Sequence, residues 1–292
     1  SLVTRILEES YKPSGAREAR KTFVDSLSTT AVRPNRPQKD HDELAKELRE
    51  MGLDLILPEE KNKFGGMSWN ELGGYEKQKR DIEDTILLSL THREVYDKIS
   101  EGTRVKFDKN RPKTVLFEGP PGTGKTTSAK IIASIVNIPL VYVPAEAVLS
   151  KWFGDSEKSL ASVFEKVAQM GQAIIFIDEV DALAVSRDTD QLHEASRRLV
   201  STLLRKLDSF ESENETLLIC ATNRKDKLDP ALLSRVDWSV KFDLPDRFAR
   251  KEIFKRYAKQ LTEEELELLA GQSEGLSGRG ILETCKDVER RW

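Results

Sequence analysis

From residue 114 onward the chain alternates unbroken apolar runs with stretches of helical period. Runs of strand length occupy 114–119 (TVLFEG), 140–145 (LVYVPA), 173–180 (AIIFIDEV), 217–223 (LLICATN) and 240–245 (VKFDLP). Between them, GKTTSAKIIASIV, SEKSLASVFEKVAQM and EASRRLVSTLLRKLDSF repeat apolar positions every three or four residues. A strand that is apolar on both faces must be covered on both faces. The alternation therefore predicts an α/β fold, a five-stranded parallel sheet sandwiched by helices. After Asp246 the strand pattern stops. RFARKEIFKRYAKQL, TEEELELLAGQ and SGRGILETCKDVERRW predict a small helical lid, and Thr262 with Glu265 has capping-box spacing.

Ahead of the sheet the pattern is weaker. Leu44, Leu48 and Met51 predict a short amphipathic helix, which PEEKNKFGG breaks. Residues 1–40 mix short apolar clusters with Pro, Ser and charges, as an arm or linker does. The expected organisation is a partly helical arm over 1–65, an α/β domain over 66–246 and a lid over 247–292.

Composition narrows the function classes. The 47 basic and 50 acidic residues leave a net charge of −3, so no global field favours nucleic acid or an anionic membrane. Two cysteines, Cys220 and Cys285, exclude a disulfide scaffold and fit a reducing compartment. No apolar run approaches the roughly 18 residues of a membrane-spanning helix. The expectation is a cytoplasmic protein, with an organelle matrix left open because the chain begins at Ser1.

Three motifs carry chemistry. GPPGTGKT (119–126) follows a predicted strand and opens a predicted helix, the setting of a phosphate-binding loop. Its glycines let backbone N–H groups and the helix N-terminus face phosphate, Lys125 supplies a point charge, and the Thr126 hydroxyl can ligate Mg²⁺. The expected nucleotide contacts are Pro121, Gly122, Thr123, Gly124, Lys125, Thr126 and Thr127. In the second motif, an apolar strand ends on Asp178 and Glu179, and such a strand ends on paired acids when they face a cation or polar ligand. Asp178 suits the Mg²⁺ shell and Glu179 the base that activates water, while Asp181 is expected to cap a following helix. The third motif sets Asn223 at the end of the fourth strand, where its amide can orient that water, with Arg235 after a short helical stretch.

Taken with KWFGDSEK (151–158), EASRRLVSTLLRKLD, ATNRKDKLDPALLSR and WNELGGYEKQKRDIEDTI (69–86), these motifs resemble, in order and spacing, the AAA family of ATPases over residues 66–292. KW-x-G-x-SEK is most similar to the katanin, spastin and endosomal-disassembly subgroup. The resemblance implies ATP and Mg²⁺ as cofactors, and a homo-hexamer that threads a protein substrate or adaptor-delivered client through a central pore. It further implies that Glu179, Asn223 and Arg235 are catalytic, Arg235 as an arginine finger entering the neighbouring subunit's site. Gly73 would hold adenine through its backbone, and Arg279 would occupy the lid's phosphate-sensing position. Lys151, Trp152 and Phe153 would form the pore loop that grips polypeptide. Where many relatives carry a second arginine, this chain has Asp237 and Trp238, and its lid is shorter than the family usually shows. Three alternatives stay open: a nucleic-acid-acting ATPase, a nucleotide-gated binding scaffold, and microtubule severing, for which residues 1–65 offer no long basic run.

Overall fold

The computed structural model describes residues 38–58, 67–92, 97, 111–145, 156–183, 190–209 and 215–291. Its centre is a six-stranded sheet of spatial order β1-β3-β4-β5-β2-β6. The strands are β1 (Asp54–Ile56), β2 (Thr114–Glu118), β3 (Leu140–Pro144), β4 (Ala173–Asp178), β5 (Thr216–Thr222) and β6 (Trp238–Lys241). The five expected strands are parallel neighbours from β3 to β6. β5 is buried along its whole length, and Phe117, Phe176 and Phe242 are among the largest fully buried side chains. Each such side chain contributes about 1.5–3 kcal/mol of burial.

The sixth strand is the first correction. Helix α1 (Gln38–Glu50) buries Ala45 and Leu48 against the main core, and β1 pairs antiparallel with β3, setting Asp54 opposite Tyr142. The turn between them is a Schellman-type cap. Gly52 has φ +84°, its N–H donates to the Arg49 carbonyl, and the Leu53 N–H donates to the Leu48 carbonyl. Leu53, Leu55 and Leu57 then enter the same core. Residues 45–57 thus contribute to the main core, within one compact unit over Pro34–Trp292. A three-residue edge strand is too short for its pattern to stand out from a linker.

Helices cover the sheet as the apolar strands require: α2 (Glu76–Ile82, continued through a π turn to Thr91), α3 (Lys125–Val136), α4 (Ser156–Met170) and α5 (Asp190–Asp208). The free edge of β6 is blunted by side chains around the start of α2. Gln78 donates to the Lys241 carbonyl and the Tyr75 hydroxyl to the Asp243 carbonyl, which removes two acceptors from an exposed edge. Asp237 accepts from the backbone N–H groups of Lys113 and Thr114. The Asp237 carboxylate thus fastens the start of β2.

Beyond a short helix α6 (Pro230–Leu233), three helices complete the fold: α7 (Arg247–Tyr257), α8 (Glu263–Gln272) and α9 (Gly278–Glu289). Thr262 and Glu265 form the full capping box at the start of α8. Ile253, Phe254, Leu266 and Ile281 make a separate small core, and the buried Arg250 ties α7 to the Ala270 and Pro245 carbonyls.

Candidate functional site

The C-terminal ends of parallel strands gather the chain's polar groups, because each strand must turn there and its continuation leaves the core. β2 runs directly into the glycine loop. Gly119, Gly122 and Gly124 all have positive φ, and Gly124 caps α3 from the left-handed region. Side chains are excluded as well as strained: a Cβ at Gly119 would lie 1.9 Å from the Phe242 carbonyl oxygen, and one at Gly122 would lie 2.7 Å from the Arg279 Cβ. The Thr123 hydroxyl donates to the Pro120 carbonyl, so this side chain shapes the loop from inside.

Lys125 is 6% exposed. Its ammonium donates to the carbonyls of Gly119 (2.7 Å) and Pro120 (2.8 Å) and to Asn223 Oδ1 (2.9 Å). Burial lowers its pKa, and the nearby carboxylates of Asp178, Asp181 and Glu179 work against that shift. A buried cation satisfied by neutral carbonyls can exchange them for an anionic ligand. Asn223, expected at the end of the fourth strand to orient water, touches the same ammonium.

The second motif faces the loop. Thr126 Oγ1 donates to Asp178 Oδ2 at 2.9 Å, and the Glu179 N–H donates to Asp178 Oδ1 at 3.0 Å. Glu179 is exposed and has φ +53°, a conformation that costs a non-glycine residue about 1–3 kcal/mol and recurs at working sites. Tyr142 also donates to Asp178 Oδ2, at 3.3 Å, and burial raises its pKa to about 12. Asp181 lies inside a 3₁₀ turn (Val180–Leu183) and accepts from the Thr222 hydroxyl at 2.8 Å, so it braces the end of β5 and does not cap a helix.

These groups open onto a cleft of about 260 Å³ between the sheet and the lid. Pro121, Gly122, Thr123, Gly124, Lys125, Thr126, Thr127, Asp178, Glu179 and Asn223 line its polar end. Gly73 lines the other end, where a Cβ would sit 2.9 Å from Ile253 Cγ1. Ile253, Tyr257 and Leu282 give that end apolar walls, and Leu72 lines the cleft beside the glycine loop, 2.4 Å from where a Cβ on Gly124 would sit. Arg256 pairs there with Glu71 and lies over the Tyr257 ring. Glu71 and Leu72 fall within WNELGGYEKQKRDIEDTI, whereas Ile253, Arg256, Tyr257 and Leu282 belong to no motif, and their helical spacing gave no signal beyond packing. Arg279 reaches the cleft from the lid, and its N–H donates to the Gly122 carbonyl at 3.1 Å.

Arg235 is elsewhere. It does not line the cleft among the described residues, and Asp208 at the end of α5 grips it in a bidentate pair (2.6 and 2.9 Å), with a third bond to the Ala231 carbonyl. The pairing raises the arginine's pKa and lowers the aspartate's. Lys151, Trp152 and Phe153 lie outside the described residues.

Residues 115–244 match the ATPase family associated with various cellular activities, AAA. The 26S proteasome regulatory subunit 6A of Encephalitozoon cuniculi is 32% identical over 98% of this chain and 74% of its own length. The chain belongs to the AAA family of ATPases. A cell division cycle protein 48 homolog of Archaeoglobus fulgidus is 34% identical over 94% of the chain and 35% of its own length. The proteasome-activating nucleotidase of Methanothermobacter thermautotrophicus is 36% identical over 76% of the chain and 54% of its own length. The chain thus spans well under two thirds of several of these longer relatives. Among solved structures, the FIGL-1 AAA domain in complex with ADP superposes with a TM-score of 0.65 at 28% identity, covering 75% of this chain and 72% of that one. The AAA fold expected from the motifs is thereby established. In this AAA chain, no helix among the described residues is long and apolar enough to cross a membrane.

Proposed function

We propose that the chain is the ATPase module of a protein-remodelling motor, which works as a homo-hexamer in the cytoplasm and threads polypeptide through its pore. The observation that carries this reading is the convergence of Lys125 with Asn223, and of Thr126 with Asp178, on one cleft whose expected arginine lies outside it. The donor set fits the implied cofactors. A hydroxyl and a carboxylate are hard oxygen donors suited to Mg²⁺, and the glycine cradle leaves room only for backbone to approach a phosphate.

ATP would supply the scissile phosphoryl group, and Mg²⁺ would neutralise its charge. The chain's own groups then divide the work. Lys125 would trade loop carbonyls for phosphate oxygens, and Thr126 and Asp178 would hold the metal. Asn223 would orient the attacking water while Glu179 takes its proton, and Arg279 would meet phosphate from the lid. Arg235 would leave Asp208 and stabilise charge in the adjoining subunit's site. Lys151, Trp152 and Phe153 would grip the client, since aromatic contact tolerates many side chains.

The experiment is a capture assay with Glu179→Gln. Loss of a general base costs about 10²–10⁴ in turnover while nucleotide binding survives. The variant should bind ATP, release almost no phosphate and retain a polypeptide client. A variant that hydrolyses at the parent rate would remove Glu179 from the mechanism, and ATP-dependent retention of DNA in place of protein would favour the nucleic-acid alternative.

A further inference from the structure

We propose that Tyr142 is a positioning residue for the metal end of the cleft, its hydroxyl fixing the direction in which Asp178 presents its carboxylate. The proposal rests on the nucleotide reading above and adds a residue to it. The sheet register explains the contact. Tyr142 on β3 stands opposite Phe176 on β4, and Asp178 follows two residues later on the same face. A diagonal neighbour of this kind is within reach of an aromatic side chain. The Tyr142 ring stacks on the fully buried Phe176, with centroids 5.8 Å apart and an interplanar angle of 22°. The ring is thus anchored on a rigid partner, and its hydroxyl projects to Asp178 Oδ2 at 3.3 Å.

Asp178 needs such help because the last torsion of an aspartate is broad and holds no direction by itself. Its Oδ1 is held by the Glu179 N–H, and its Oδ2 is shared by Thr126 and Tyr142. Of these donors, Thr126 is itself expected to meet the ion and Glu179 to meet the attacking water. Tyr142 has neither duty, and it does not line the cleft. Its remaining role toward the ion is to aim the carboxylate, as second-layer donors do at metal sites generally.

The test is binding of a fluorescent methylanthraniloyl-ADP to the full chain, in EDTA and then across a MgCl₂ titration. Tyr142→Phe keeps the ring stack and removes only the hydroxyl. Its affinity in EDTA should equal the parent's, while the Mg²⁺ concentration for half-maximal effect rises about 10-fold or more, the usual cost of losing a second-layer partner. Tyr142→Leu, which also loses the stack, should show the same metal shift together with a lower melting temperature. An equal loss of affinity with and without metal in Tyr142→Phe overturns the proposal, since it would mark the tyrosine as structural. A parent chain that binds no nucleotide would sink the nucleotide reading and this inference together. A parent that binds with normal Mg²⁺ dependence, beside a Tyr142→Phe chain whose Mg²⁺ half-point is unchanged, would overturn this inference and leave the nucleotide reading standing.

Discussion

The two ends of the cleft are built by opposite means. The phosphate end is made of contiguous backbone: one loop, three glycines at positive φ and the tips of adjacent parallel strands. The opposite end draws on distant segments, with Gly73 ahead of α2, Ile253 and Tyr257 on α7, and Leu282 on α9, while Leu72 lies against the glycine loop at Gly124. The first is fixed by covalent neighbours and strand register. The second exists only while the lid packs against the sheet. The glycine loop is therefore placed by the sheet, whereas the walls from α7 and α9 depend on how the lid packs.

This contrast can be broken at each end, and the effects should fall in a definite order. Lys125→Ala removes a buried ammonium that holds three acceptors. Charge-assisted hydrogen bonds contribute about 1.5–3 kcal/mol each, so losing more than one phosphate contact should weaken ADP and ATP binding by roughly 100-fold or more. Calorimetry on the variant checks this, and parent-like affinity would remove Lys125 from the site. Gly73→Ala should act next. Its Cβ would lie 2.9 Å from Ile253 Cγ1 and 3.1 Å from the Ile253 nitrogen, so α7 must retreat or bend. Overpacking costs about 1–3 kcal/mol, which predicts a loss of roughly 5- to 150-fold in nucleotide affinity with the phosphate end intact. Equal affinity in Gly73→Ala would show that the lid does not close on the ligand there.

Glu71→Gln should do least. The Glu71–Arg256 pair spans the opposite end with both side chains about a third exposed, 39% and 30%. Such pairs contribute about 0.2–1 kcal/mol, so affinity should fall less than about 5-fold and the difference should shrink in high salt. A larger or salt-independent loss, read by the same calorimetry, would mean that the pair contacts the ligand directly.

The same contrast decides what the sequence could tell. The phosphate end was legible because its chemistry demands residue types at fixed offsets: glycines where φ is positive, a lysine at the helix start, acids after an apolar strand. The central strands were legible because burial leaves few polar positions inside them, whereas β6 buries only Val240 of its four residues. β1 was not legible, since three residues that pair with one neighbour cannot show a period. Gly52 was its only local trace, a helix-ending glycine whose role appears once the Leu53 N–H is seen on Leu48. The apolar walls of the opposite end were not legible either. Ile253 and Tyr257 belong to the lid core as well as to the cleft wall, and nothing in their spacing separates the two roles. Asp208 is a similar case. Its bond to Arg235 joins helix ends 27 residues apart, and only the fold brings them together.

That bond bears on the central claim, that one subunit holds an incomplete site. Arg235 is tied to Asp208, and the cleft contains Glu179 without it. The direct measurement is phosphate release from Arg235→Ala and Glu179→Gln chains, each alone and then mixed over a range of ratios and concentrations. Each alone should be nearly inactive, since an arginine finger contributes about 10³–10⁵ in turnover. Mixtures should recover activity, because some interfaces then join the base of one chain to the finger of the other. Turnover of the parent should also rise with protein concentration as subunits assemble. No recovery at any ratio, or a full-rate Arg235→Ala chain, would contradict a site completed by a neighbouring copy.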